Sequence, residues 1–213
     1  MLTLKKCLFI TLLLVTTPLL AEPFAYWKFD SNRNGISIYS REHSDGLVEI
    51  RAQMFTPTSY GAFLSLLEDS KNVPNWIANV SSSQVLKQIS ATENIVYTQF
   101  AAPWPATNRD MVTYSKYSIE DSAFTLSIKD APLSTFPPQQ GYVRVHSVTA
   151  TWLLQKLTNG LTVIEYTAFA HPGGDLPDWL INKLAIESAR ETFEGLRAQL
   201  PNYQTRSHPQ IQE

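Results

Sequence analysis

The chain has 213 residues, with 17 Lys and Arg against 19 Asp and Glu, and is 44% hydrophobic and 17% charged. Those proportions describe one globular domain and exclude a disordered chain, a collagen or a coiled coil. A net charge of −2, with no basic run longer than Lys5-Lys6, disfavours nucleic acid as a partner.

Residues 1–21 carry Lys5 and Lys6, an apolar run from Cys7 to Val15 broken by Thr11, and a Pro18-Leu19-Leu20-Ala21 ending. This pattern predicts a bacterial secretory signal peptide cleaved after Ala21, hence a periplasmic or secreted protein. The alternative, a membrane anchor, needs roughly 20 apolar residues without a proline. Cleavage would leave 192 residues (213 less 21) with 15 basic against 19 acidic side chains, and would remove the only cysteine, Cys7. Stability would then rest on core packing without disulfides.

Gly35 to Tyr39 and Gly46 to Phe55 predict a hairpin, since Val48, Ile50, Ala52 and Met54 alternate with Glu49, Arg51 and Gln53. Thr56-Pro57-Thr58-Ser59 then starts a helix to about Asp69, with Tyr60, Phe63, Leu64 and Leu67 at helical spacing. Six strands follow over 84–90, 94–102, 110–119, 124–129, 142–155 and 161–170, a meander long enough to make a large curved antiparallel sheet. The proline-rich loops 103–108 and 130–140 are expected on one rim, framing an opening. Asp175-Leu176-Pro177 begins a helix to about Leu200, with Asp175 as the expected cap. Its apolar stripe is Trp179, Ile186, Ala189, Phe193, Leu196 and Leu200, and residues 202–213 read as a flexible polar tail. The fold class is α+β, with a curved sheet wrapped around a terminal helix and either a packed core or a ligand cavity between them.

Three separated motifs occur in order: Ala102-Pro103-Trp104-Pro105 with Arg109-Asp110-Met111-Val112, then Gly141-Tyr142-Val143-Arg144, then Pro172-Gly173-Gly174-Asp175-Leu176-Pro177-Asp178-Trp179. With Val73-Pro74-Asn75-Trp76, they make 22–201 resemble the StAR-related lipid-transfer (START) domain family. The resemblance implies a helix-grip fold with an internal hydrophobic cavity for one lipid or other apolar molecule, transient membrane contact, and no cofactor or metal. A monomer is expected.

The expected cavity residues are Met111, Thr113, Tyr117, Ile186, Phe193 and Leu196, with Val112 and Tyr114 inward instead if the strand has the opposite parity. Each fits an ordinary core position equally well. Some sterol-binding relatives of that family place a buried carboxylate and arginine on the strands flanking the first rim loop. Gln99 and Ser115 stand at the nearest equivalents here, a departure that weighs against a sterol. Trp104, Arg109, Asp110, Gly173, Gly174 and Pro177 make a gate or a structural junction, with Arg109-Asp110 an ion pair or a loop clasp. Arg144 either meets a headgroup or forms a rim salt bridge. His146 with Arg144 and Glu165 is the best acid/base group for an enzyme of the cyclase or hydrolase type, and fits a solvated polar strip as well. The sequence contains no G-x-S-x-G elbow, H-E-x-x-H helix, Gly-rich phosphate loop or Cys/His cluster, so a carrier is preferred to an enzyme.

Overall fold

The computed structural model describes residues 26–132, 134, 136–206 and 208–211. The predicted signal peptide lies outside them. Ten strands form one sheet: β1 (Lys28–Arg33), β2 (Ile36–Glu42), β3 (Val48–Thr56), β4 (Val80–Ser90), β5 (Glu93–Phe100), β6 (Asn108–Glu120), β7 (Ala123–Asp130), β8 (Tyr142–Arg144), β9 (His146–Lys156) and β10 (Thr162–His171). Their order is β1-β2-β3-β10-β9-β7-β6-β5-β4, with β8 parallel to the start of β6. The helices are α1 (Tyr60–Glu68) and α2 (Asp178–Gln199), the latter running into a 3-10 turn at Leu200–Tyr203. This is the helix grip that the sequence predicts, and the hairpin and meander both hold.

Local chemistry explains most of the elements. Ser59 caps α1 by accepting from the Ala62 N–H at 3.0 Å. Asn34-Gly35, both at positive φ, turns β1 into β2, and Asp121-Ser122 does the same between β6 and β7. Strand β1 has only Phe29 as a large apolar residue and lies at the sheet edge, so alternation does not reveal it.

Four sequence expectations need correction. The 142–155 strand is two: it breaks at Val145, β8 leaves the line of β9 to extend β6, and Ser147, φ 55°, makes an irregularity near the start of β9. Asp175 does not cap α2; Pro177 holds the cap position without a side-chain bond, and Asp178 brings negative charge to the first turn. Trp179 is 69% exposed rather than part of the stripe, because the first turn of α2 overhangs the packed surface. The tail docks: Tyr203, His208 and Ile211 are buried, and His208 Nε2 lies 2.9 Å from Glu68 Oε2.

The core sits where α1 and the second half of α2 meet the concave face. Phe63, Phe124, Trp152 and Phe193 stack or tilt against one another at centroid distances of 5.3–5.9 Å, and all are nearly inaccessible. Burial of such side chains contributes about 1.5–3 kcal/mol each.

Candidate functional site

Strand register decides which side chains look toward α2. Tyr117 pairs with core residue Leu126, so Tyr117, Ser115, Thr113, Met111 and Arg109 share the concave face of β6. The same alternation turns Ile128 inward on β7, and Ile164, Tyr166 and Ala168 inward on β10. Met111 and Thr113 therefore have the parity first assigned to them, and Val112 and Tyr114 face out.

Burial along this concave face is graded. Phe124, Leu154, Ile164, Phe193 and Leu196 are closed off completely at the α1 end. Toward the opposite rim, Met111, Ser115, Ile128, Tyr166, Ala168 and, from α2, Ala185 and Ile186 face inward yet are only half-buried. The grip is packed at one end and accessible at the other. Tyr166 is central in the sheet and tilts against Trp152 at 4.3 Å, and desolvation pushes its phenol up to about 12. Two surface depressions, of about 610 Å³ beside Thr56, Lys156 and Gln204 and about 670 Å³ beside Glu68 and His208, lie at the packed end instead.

The predicted cavity residues accordingly divide. Met111, Ser115 and Ile186 border the accessible half, with Thr113 buried among them. Tyr117, Phe193 and Leu196 belong to the solid core, and the Tyr117 hydroxyl is tied to Gln210 Oε1 at 2.8 Å. Gln99, Arg144 and His146 lie off the concave face. Gln99 pairs with Asp110 on the outer side of β5 and β6, where its Nε2 donates to the Tyr97 hydroxyl at 3.2 Å, so it does not meet Ser115. His146 is exposed and stacks on His171 at 4.4 Å, whereas Glu165 accepts from Gln53 in mid-sheet; the acid/base trio is not assembled. Among the described residues no His, Cys, Asp or Glu group is placed to hold a metal. Tyr166, Ile128 and Ala168 escaped the sequence reading, although the inward alternation Ile164, Tyr166, Ala168 is visible in the strand itself.

The rim is built by charged side chains of opposite orientation. Arg109 and Asp110 are neighbours in sequence, face opposite sides of the sheet and form no pair. Asp110 is fully buried and takes two bonds from Arg144, while the Tyr97 hydroxyl donates to its Oδ2 at 3.2 Å. The bond to Asp110 raises the Arg144 guanidinium, and burial raises the Tyr97 phenol. Arg144 also donates to the carbonyls of Phe136 and Pro137, which fastens the second proline-rich loop beside the first. Arg109 clasps instead: its Nη1 donates to the Thr107 carbonyl and its Nη2 to the Gly173 carbonyl at 3.4 Å. Gly173 and Gly174 have φ of 66° and 74°, and a Cβ on Gly173 would lie 2.9 Å from Val143 Cγ1. Pro177 follows at the start of α2, and Trp104, next to a cis bond to Pro105, is 92% exposed.

A family model described as the START domain matches residues 12–206. The chain belongs to the START domain family. Its relatives include an uncharacterized protein of Pseudomonas aeruginosa, 29% identical over 180 residues, which cover 81% of this chain and 85% of that one. Among solved structures, a STAR-related lipid transfer protein from Xanthomonas axonopodis is similar at a TM-score of 0.75 and 28% identity, over 82% of this chain and 98% of that chain. Human StAR-related lipid transfer protein 5 also reaches a TM-score of 0.75, at 17% identity over 85% of this chain and 89% of its own, a likeness of fold. As a START domain, the chain is a binder of hydrophobic ligands.

Proposed function

We propose that the protein holds one lipid in the accessible half of its grip and carries it within the cell envelope as a monomer. The observation that carries this reading is the gradient of burial on the concave face: Met111, Ile128, Tyr166, Ala168, Ala185 and Ile186 keep accessible surface toward the rim, whereas Phe124, Leu154, Ile164, Phe193 and Leu196 at the α1 end keep none. An acyl chain there gains about 0.8 kcal/mol for each methylene removed from water. Ten methylenes supply about 8 kcal/mol before ordering costs, the scale of micromolar binding, without any catalytic group. The rim, with loops 101–107, 136–141 and 172–177 at one end, is the route inward. Its exposed Trp104 and Trp179 suit the headgroup layer of a membrane.

Native mass spectrometry of the full chain expressed with its leader is the test. A lipid-sized adduct on a protein shortened by 21 residues is expected in the envelope fraction. A protein that carries no adduct, and takes up no lipid from vesicles, overturns the carrier reading. A chain recovered at full length in the cytoplasm overturns the envelope assignment.

A further inference from the structure

Arg109 is the one concave-face side chain of β6 that brings a full charge into the compartment. It stands opposite Phe100 on β5 and Val143 on β8, at the rim end of the face that continues through Met111 and Thr113. It is only 7% exposed. Of the five N–H groups of its guanidinium, the two described bonds use one on Nη1 and one on Nη2, and the second is long at 3.4 Å. Its Nε is sealed from solvent and has no partner among the described residues. No carboxylate of the described residues lies within 4 Å of it, since Asp110 on the other face is committed to Arg144. Burial without a countercharge pulls its pKa below the usual arginine value.

A buried cation held only by carbonyl oxygens is costly, and an acid group reaching it would remove most of that cost. We propose that the lipid carried here is an anionic amphiphile whose acid group, a carboxylate or a phosphate, seats on Arg109 with its tail running toward Met111, Ile128 and Tyr166. This rests on the carrier reading above and adds the chemistry of the head. The covering turn suits such an occupant. Gly173 and Gly174 are held in left-handed conformations that favour glycine, so bare backbone closes over the guanidinium. Its polar tie to Arg109 is the 3.4 Å bond alone, which an acid oxygen readily displaces.

The experiment compares matched pairs on the full mature chain: oleic acid against oleyl alcohol, and dioleoyl phosphatidic acid against dioleoylglycerol, by fluorescent-lipid displacement at pH 8. Each acid is expected to bind at least about tenfold more tightly than its neutral partner, the scale of one charge-assisted bond. Arg109→Gln should erase that preference by weakening the acids more than the neutral lipids, and Arg109→Lys should retain part of it. The acid that gains more from Arg109 identifies the head as carboxylate or phosphate. Equal binding of acid and neutral partners to the wild type overturns the inference and leaves the carrier reading standing. An Arg109→Gln loss that is the same for acids and neutrals makes Arg109 a clasp alone and also overturns it. Binding of acetate or inorganic phosphate as tight as that of the lipids overturns it in favour of a simple ion site. Failure of every amphiphile to bind overturns both readings. Should Arg109→Gln not fold, the wild-type comparison decides.

Discussion

Arg144 meets Asp110 with two nitrogens, Nε to Oδ1 at 2.7 Å and Nη2 to Oδ2 at 3.0 Å, on the face of the sheet turned away from α2. The pair joins β8 to β6 where β7 has already left the sheet, and so it holds the rim together. Arg144→Met strands a buried carboxylate and is expected to cost about 3–5 kcal/mol. For a chain of this size that is a fall in Tm of roughly 10 °C, read by calorimetry. Asp110→Asn combined with Arg144→Met removes both charges and should recover part of the loss; a double variant as unstable as the single one contradicts the account.

Gly195 lets α2 pass close against the backbone of Trp76. A Cβ there would stand 2.5 Å from the Trp76 carbonyl oxygen and 2.7 Å from its Cα, and backbone cannot step aside as a flexible side chain does. Alanine would improve helix propensity by about 1 kcal/mol. Overpacking costs about 1–3 kcal/mol and should win. Gly195→Ala is expected to lose up to about 2 kcal/mol in urea unfolding, whereas stabilisation would mean that the helix shifts freely on the core.

Tyr166 carries a titration signature of the compartment. Its phenol ionises near 12 in the folded chain against 10 when free, so between those values the unfolded state has released the proton and the native state has not. This contribution to stability is therefore complete below pH 10 and is lost as the pH rises toward 12. Tyr166→Phe should flatten that fall, followed by denaturant midpoints across the alkaline range. An unchanged slope would place another group at its origin.

Trp104 and Trp179 are 92% and 69% exposed, so neither contributes to the core. Trp104→Ala and Trp179→Ala should leave Tm unchanged and lower partitioning onto lipid vesicles by about tenfold each, the worth of one buried side chain. Vesicle sedimentation measures this directly. Undiminished partitioning of the double variant would move membrane contact to another surface.

Strands and helices were legible because their causes are local. Alternation marked β3, Thr56-Pro57-Thr58-Ser59 marked the start of α1, and Pro177 marked the start of α2. The Trp179 error shows where locality stops: spacing defines a stripe on a helix but not how far the packed surface beneath it extends. Strand parity was the larger gap. Arg109 and Asp110 appear in sequence as a natural pair, and only the pairing of Tyr117 with Leu126 separates them to opposite faces. Gln99 and Arg144 went to the outer side for the same reason. The tail misled through its composition, since Tyr203, His208 and Ile211 are three anchors in an otherwise polar segment and each finds its seat on residues far upstream.

The neighbour of β3 in the sheet is β10, with Met54 opposite Ile164, about a hundred residues downstream. The first hairpin therefore has one edge unsatisfied until nearly the whole polypeptide is present, and only closure of this distant seam joins the two halves of the sheet. Assembly of this kind is late and all-or-none. Chains ending before Thr162 should expose the β3 edge and aggregate.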